Sequence, residues 1–128
     1  MHSEDVNGKV LEHWNCDDLQ AAMAAGEVVT IDVRTPQEYM FEHIKGALLL
    51  PLSGFDPAFL PEGGDKRLVF HCGSGVRSRK VAEAWLAAGH DRVAHLEGGF
   101  AAWKAALKPY VGTDMATGAP VPVNVKAG

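Results

Sequence analysis

The chain has 128 residues, 47% of them hydrophobic, and a formal net charge of −4. This length is typical of a single domain with a buried core. The acidic balance argues against a general nucleic-acid-binding surface. The only cysteines are Cys16 and Cys72. Two are too few for the disulfide framework of a small secreted protein, and no Cys/His spacing indicates a zinc site.

The N-terminal sequence MHSEDVNGK lacks the apolar core of a signal peptide. No apolar run approaches the ~18 residues that a membrane-spanning helix needs. The sequence therefore predicts a protein of a reducing compartment, the cytoplasm, with no nucleic-acid or membrane partner. We also expect neither a metal ion nor a cofactor.

Strand-like and helix-like segments alternate along the chain. In order, the sequence predicts a loose segment (1–9), a helix (16–26), a strand (28–33), a helix (35–44), a strand (46–52), an irregular connection (53–66), a strand (67–71), a glycine loop and a helix that continues to 86, a strand (92–99), a helix (100–107) and a tail (112–128). This alternation predicts an α/β fold with a parallel sheet. We expect one domain over 10–111, between a flexible N-terminus of 1–9 and a flexible tail of 112–128.

The segment LVFHCGSGVRSRKVAEAWL places Cys72 between a predicted strand and a predicted helix. We call residues 72–78 the cysteine loop. Gly73 and Gly75 permit a sharp turn, so the backbone N–H groups of the loop can point inward and bind negative charge. The helix N-terminus adds a partial positive charge and Arg77 adds a full one. Because such surroundings lower the pKa of a thiol, we predict that Cys72 is a reactive thiolate.

The stretch IDVR, which contains Asp32 and Arg34, also follows a predicted strand. Loops at the carboxyl ends of parallel strands form the ligand crevice of such sheets. We therefore expect this stretch and the cysteine loop to lie near one pocket. His71 precedes Cys72 on the strand, and because successive side chains alternate between faces, its ring should point away from the sulfur.

The motif HCGSGVRS resembles the protein tyrosine phosphatase signature, His-Cys-x5-Arg-Ser/Thr, except that four residues separate Cys72 from Arg77. Over nearly its whole ordered length the chain is similar to the single-domain rhodaneses, which are thiosulfate sulfurtransferases. The similarity is carried by VVTIDVRTPQEYMFEHIKGALLLPL, LVFHCGSGVRS and LEGGFAAW. The resemblance implies a rhodanese-like parallel β-sheet flanked by helices on both faces.

The resemblance also implies that Cys72 accepts a sulfane sulfur and holds it as a persulfide. The residues implied to bind the substrate are Gly73, Ser74, Gly75, Val76, Arg77 and Ser78. The expected donor is thiosulfate or, because CGSGV resembles the loop of mercaptopyruvate sulfurtransferases, 3-mercaptopyruvate. The expected acceptor is cyanide or a thiol such as thioredoxin or glutathione.

Two other functions remain open at this point. A phosphatase or an arsenate reductase could use the same fold, although a tetrahedral oxyanion needs a wider ring of amides than one sulfur atom does. A non-catalytic rhodanese module is the other alternative, and the intact cysteine with its glycine loop argues against it.

The resemblance assigns supporting roles to residues outside the cysteine loop. Asp32 and Arg34 match the Asp-x-Arg of the family and are expected near the loop, where a structural ion pair is as good an interpretation as a direct role. His43, placed with Glu38 on the predicted helix, is expected to pack. Trp103 is expected in the core. For Cys16 we favour a place at a helix start or in the core over the role of a resolving thiol.

Overall fold

The computed structural model describes residues 1–60 and 65–125. Parts of two predicted segments, residues 61–64 of the irregular connection and residues 126–128 of the tail, therefore lie outside the described residues.

The order of strands and helices follows the predicted alternation, with additional strands at both ends of the chain. The strands are β1 (His2–Val6), β2 (Lys9–Trp14), β3 (Val28–Asp32), β4 (Glu42–His43), β5 (Leu48–Leu49), β6 (Arg67–His71), β7 (Arg92–Leu96), β8 (Tyr110–Thr113) and β9 (Pro120–Val123). The helices are α1 (Cys16–Ala24), α2 (Pro36–Phe41), α3 (Val76–Ala87) and α4 (Gly99–Ala105). Within the described residues, none of these helices is long and apolar enough to cross a membrane.

The central sheet has the strand order β1-β2-β7-β6-β3-β5. Neighbouring strands from β2 to β5 run parallel, whereas β1 pairs antiparallel with β2. One core, which includes Leu19 of α1 and Trp103 of α4, covers one face, and a second core, which includes Val81 and Trp85 of α3, covers the other. The predicted α/β class, a parallel sheet with helices on both faces, is confirmed.

The N-terminal residues form a hairpin, where the sequence analysis expects a loose segment and no strand before 16. β1 and β2 pair antiparallel, and their two-residue turn consists of Asn7 and Gly8, with φ of 53° and 84°. Asn-Gly is the residue pair that favours this turn because both positions need positive φ. The polarity of β1 led to the different expectation, but an edge strand can expose most of its side chains.

The described part of the predicted tail, 112–125, also differs from the expectation. β8 pairs antiparallel with β9 and with the short β4, which gives a second small sheet. Pro120 and Pro122 lower the strand propensity of β9. They are tolerated because β9 lies at the edge of this sheet, where an N–H group can be missing without loss of a ladder bond.

Helix α2 is shorter than predicted. It begins after Thr35, whose side chain accepts a hydrogen bond from the N–H of Glu38, and it ends at Phe41 instead of continuing to Ile44. Because β8 draws the following residues into an antiparallel pair, His43 lies on β4 and not on the predicted helix.

The N-terminus of α4 packs directly on the cysteine loop. The Phe100 N–H donates to the Cys72 carbonyl at 2.8 Å, and the Ala101 N–H donates to the Gly73 carbonyl at 2.9 Å. Gly99 has φ of +61°, and a Cβ atom there would lie 2.5 Å from the Cys72 carbonyl oxygen. Glycine at this position therefore permits the contact between helix and loop.

This contact predicts a large effect of Gly99→Ala on stability. A positive φ alone costs a non-glycine residue about 1–2 kcal/mol, and the clash with the loop backbone adds about 1–3 kcal/mol. Gly26→Ala is the matched control, because Gly26 has φ of +70° and nothing within 4 Å of its Cβ position. Urea unfolding should show a larger loss of unfolding free energy for Gly99→Ala. Equal losses in the two variants would contradict the close packing of α4 on the loop.

Candidate active site

The sulfur of Cys72 lies at the bottom of the cysteine loop, between β6 and the N-terminus of α3. The Gly75 N–H donates a hydrogen bond to Sγ at 3.0 Å, and the Ser78 hydroxyl lies 3.6 Å from Sγ. The backbone N–H groups of Ser74 and Ser78 also hydrogen-bond to the sulfur. Cys72 is 0% exposed to solvent. The sulfur is thus enclosed by donors rather than by water.

These donors decide the ionisation of Cys72. Burial raises the pKa of the thiol because a buried thiolate loses its hydration. Hydrogen bonds from the Ser78 backbone and hydroxyl, and from the N–H groups of Ser74 and Gly75, stabilise the thiolate and outweigh burial. The pKa of Cys72 is therefore lower than that of an ordinary thiol, in the direction expected from the sequence.

The loop also carries Val76 and Arg77 at its outer surface, where Val76 is exposed. Arg77 donates two hydrogen bonds to the Glu38 carboxylate, at 2.6 and 3.0 Å. A Cβ atom on Gly73 would lie 3.2 Å from Nη2 of Arg77, so the ion pair rests against the loop. The sequence analysis assigns Arg77 to the binding of an anionic substrate. In the structure the Glu38 carboxylate already pairs with Arg77 and would compete with such an anion.

Glu38 is therefore a site residue that the sequence analysis did not identify as one. The hydrogen bond from Arg77 is the main reason why its pKa is lowered to about 2. The same carboxylate accepts hydrogen bonds from the backbone N–H and the hydroxyl of Thr35. The sequence TPQE carries the signature of this capping box. It gives no sign of the pairing with Arg77, which is 39 positions away.

Asp32 and Arg34 form a buried ion pair, with Nη2 of Arg34 2.8 Å from Oδ2 of Asp32. The Arg34 guanidinium lies 4.6 Å from the centre of the Phe100 ring. Since the Phe100 N–H binds the Cys72 carbonyl, the ion pair supports the loop through α4. Asp32 and Arg34 thus form the structural ion pair that was one of the two expectations for them. They lie on the face of the sheet opposite the Cys72 side chain.

His71 lies on that same face, as strand alternation predicts. Its ring is buried near Phe100, and Nε2 lies 3.6 Å from the Asp32 carboxylate. Burial lowers the pKa of His71. The ring is therefore neutral and directed away from the sulfur, which agrees with a structural role.

The remaining expectations concern residues outside the loop. Trp103 is buried in the core, and its indole N–H donates to the Pro109 carbonyl at 2.8 Å. The His43 ring stacks on Tyr39 with centroids 4.1 Å apart, which is a packing role, although on a strand. Cys16 begins α1 and is buried in the core on the other face of the sheet from Cys72. This placement is the one that the sequence analysis favoured over the role of a resolving thiol.

Two buried histidines near the loop were not identified from the sequence. His95 on β7 places Nδ1 2.9 Å from the Ser78 hydroxyl, and His13 lies beside it in the register of β2 and β7. His13 belongs to the strand that the sequence analysis missed. A histidine in an otherwise apolar strand was the only available signal, and it is a weak one.

Comparison with known proteins agrees with this site. The family model described as "Rhodanese-like domain" matches residues 15–106. The uncharacterized protein slr1261 of Synechocystis is 41% identical over 95 residues, which are 74% of this chain and 53% of that protein. The probable adenylyltransferase/sulfurtransferase MoeZ of Mycobacterium tuberculosis is 39% identical over 87 residues, which are 65% of this chain and 22% of that protein.

Among solved structures, protein RPA3614 of Rhodopseudomonas palustris, titled a possible tyrosine phosphatase, is 31% identical with a TM-score of 0.68. The match covers 77% of this chain and 83% of that one. The chain spans about half the length of slr1261 and about a fifth of MoeZ. The family match, which includes the cysteine loop and the elements on both of its sides, shows that the chain belongs to the rhodanese-like domain family.

Proposed function

We propose that the protein is a sulfurtransferase that moves a sulfane sulfur from a donor such as thiosulfate to cyanide or a thiol through a persulfide on Cys72. The observation that carries the proposal is the convergence of the loop N–H groups of Ser74, Gly75 and Ser78 on one sulfur atom. Such a ring stabilises a thiolate before the reaction, and it can stabilise the negative charge of a persulfide after it.

The proposed reaction has two steps. The Cys72 thiolate attacks the outer sulfur of thiosulfate, a new S–S bond forms, and the S–S bond of thiosulfate breaks. Sulfite leaves with the bonding electron pair, and the negative charge passes to the outer sulfur of the persulfide. Cyanide or a thiolate then attacks this sulfur and restores the Cys72 thiolate. The kinetics are ping-pong because the first product leaves before the second substrate reacts.

The ionisation of the carboxyl groups near the loop favours this reaction over phosphatase chemistry, which needs a general acid for the leaving group. Glu38, the carboxyl group beside the loop, has a pKa of about 2 and is ionised at neutral pH. Asp32 is buried against Arg34 on the other face.

The lowered pKa of Cys72 also favours an enzyme over a non-catalytic module, because a binding module has no use for a reactive thiolate. The similarity to a probable sulfurtransferase supports the same class of reaction. We propose thiosulfate or 3-mercaptopyruvate as donor, and cyanide, thioredoxin or glutathione as acceptor. Two free cysteines fit a reducing compartment, and we propose that the protein acts in the cytoplasm.

Mass spectrometry of the intact protein tests the persulfide. Thiosulfate should add one sulfur atom, about 32 Da, to the protein, and cyanide should remove it, because the thiolate is the nucleophile. Cys72→Ser should abolish the addition. Cys16→Ser is the control and should retain it, because Cys16 lies in the other core. Sulfur addition to Cys72→Ser would exclude Cys72 as the carrier.

The ion pair at the loop predicts opposite effects of two charge changes on donor binding. Glu38→Gln keeps the helix cap but leaves the Arg77 guanidinium unneutralised, so KM for thiosulfate should fall by about two- to fivefold. Arg77→Ala should raise this KM. It should slow the half-reaction with thiosulfate more than the discharge of the persulfide to cyanide. Stopped-flow measurement of both half-reactions separates the two effects.

Glu42→Gln is the matched control for the charge change, because Glu42 pairs with Lys104 away from the loop. Its KM for thiosulfate should equal that of the unmodified protein. If Glu38→Gln and Glu42→Gln lower KM equally, the effect is one of net charge, and the ion pair does not control donor binding.

A further inference from the structure

Two opposite charges lie together at the outer surface of the cysteine loop. The Arg77 guanidinium donates from Nη1 to Oε1 of Glu38 at 2.6 Å and from Nη2 to Oε2 at 3.0 Å. A Cβ atom on Gly73 would lie 3.2 Å from Nη2 of Arg77 and 3.9 Å from Oε2 of Glu38. Both charges therefore rest against the residue that follows Cys72. We call Glu38 and Arg77 the charge pair.

Both members of the charge pair are accessible from solvent. The side chains of Arg77 and Glu38 are 34% and 36% exposed. Among the residues that the structure describes, Oε2 of Glu38 accepts only the hydrogen bond from Arg77. A carboxylate oxygen can accept two hydrogen bonds, and a guanidinium group has five N–H donors, of which the pair uses two. Each member can therefore bind a further ionic group while the pair stays intact.

The capping of α2 does not account for the charge of Glu38. Oε1 of Glu38 accepts from the backbone N–H and the hydroxyl of Thr35, and a glutamine could supply the same acceptor. The charge instead acts at the loop. The pKa of Arg77 is raised, first by the hydrogen bond with Glu38 and also by the charges of Glu38 and Cys72. The charge pair thus lies within electrostatic range of the sulfur.

A pair of opposite charges suits a ligand that carries both signs of charge. Arg77 attracts an anionic group, but Glu38 beside it repels the same group, which limits the affinity for a dianion such as thiosulfate. A ligand with one carboxylate and one ammonium group has a partner for each of its charges. The carboxylate of Glu38 therefore disfavours purely anionic ligands and favours zwitterions.

We propose that the charge pair selects an α-amino acid thiol as the sulfur acceptor, with its ammonium group bound by Glu38 and its carboxylate bound by Arg77. The inference rests on the proposed function, because it names the class of thiol that discharges the Cys72 persulfide. The acceptor is small, since the charge pair lies against Gly73, directly beside the cysteine. Glu38 and Arg77 determine specificity in this role, and Cys72 carries the sulfur.

The transfer to such an acceptor needs no further reactant. The acceptor thiolate attacks the outer sulfur of the persulfide, a new S–S bond forms, and the bond between this sulfur and Cys72 breaks. The electron pair of the broken bond returns to Cys72 as a thiolate, and the acceptor leaves as a persulfide with one negative charge. The total charge and the number of electrons are unchanged. Two anions meet in this step, and the ammonium group of the acceptor reduces their repulsion.

Discharge of the persulfide to a matched set of thiols tests the proposal. Cys72 is loaded with thiosulfate in a Cys16→Ser background, the excess donor is removed, and the loss of about 32 Da is followed by mass spectrometry. The thiols are L-cysteine, N-acetylcysteine, which lacks the ammonium group, and cysteine methyl ester, which lacks the carboxylate. Glutathione is the fourth thiol, because its zwitterionic end lies far from its sulfur.

Glu38→Gln keeps the helix cap and removes the negative charge. It should lower the preference for cysteine over N-acetylcysteine by about two- to fivefold and leave discharge to glutathione unchanged. Arg77→Gln should instead lower the preference for cysteine over its methyl ester. Each thiol is compared with itself in two proteins, so differences in thiol pKa cancel.

Glu42→Gln is the control, because Glu42 pairs with Lys104 away from the loop, and it should change neither preference. An unchanged preference for cysteine over N-acetylcysteine in Glu38→Gln overturns the proposal. An equal loss of this preference in Glu38→Gln and Glu42→Gln also overturns it, because net charge alone then explains the effect. An equal change for cysteine and glutathione would show that the acceptor is not selected as a small amino acid.

A binding measurement on the unmodified protein requires neither a persulfide nor a variant. S-methylcysteine keeps both charged groups but has no thiol, so it should slow the alkylation of Cys72 by iodoacetamide more than N-acetyl-S-methylcysteine does. Equal protection by the two compounds would contradict the zwitterion site. Selective protection without sulfur loading from thiosulfate would uphold the zwitterion site and overturn the proposed function. Sulfur loading without selective protection and without a thiol preference would uphold the proposed function alone.

Discussion

Two hydrogen bonds between α4 and the cysteine loop determine the shape of the site. The Phe100 and Ala101 N–H groups hold the carbonyls of Cys72 and Gly73 on the side of the loop that faces α4. With those carbonyls engaged, the N–H groups of the loop are left to converge on the sulfur. The close approach of α4 to the loop requires glycine at position 99. The Asp32–Arg34 ion pair stabilises α4 through the contact of Arg34 with the Phe100 ring. Residues that never touch the sulfur therefore decide its surroundings.

The site solves a conflict between burial and ionisation. A thiol that is buried among apolar groups stays protonated, since its anion loses hydration. Here the amides of the loop and the Ser78 hydroxyl replace water, and the pKa of Cys72 is lowered despite burial.

The sequence predicted the structure correctly where a pattern of neighbouring residues decides the local conformation and no contact with another part of the chain overrides it. The glycines of the cysteine loop, the capping box after Thr35 and the apolar strand before Cys72 are local patterns, and the structure has the corresponding elements. The prediction was wrong where pairing with another strand decided the outcome, in two cases with the neighbouring strand of a hairpin and in one with a strand far along the chain. β1, β4 and β9 are short or polar, and each is stabilised by hydrogen bonds to another strand rather than by its own propensity.

The sequence by itself determined the α/β class, the position of Cys72 between a strand and a helix, and a loop too short by one residue for the phosphatase signature. These properties depend on neighbours in the chain, which periodicity and spacing describe. Only the tertiary structure decided the partners of the site: Glu38 for Arg77, and His95, His13 and Glu4 for Ser78. The contacts from Arg77 to Glu38 and from His95 to His13 join residues 39 and 82 positions apart. Such contacts arise when parallel strands and helices meet at one edge of a sheet, and no local pattern encodes them.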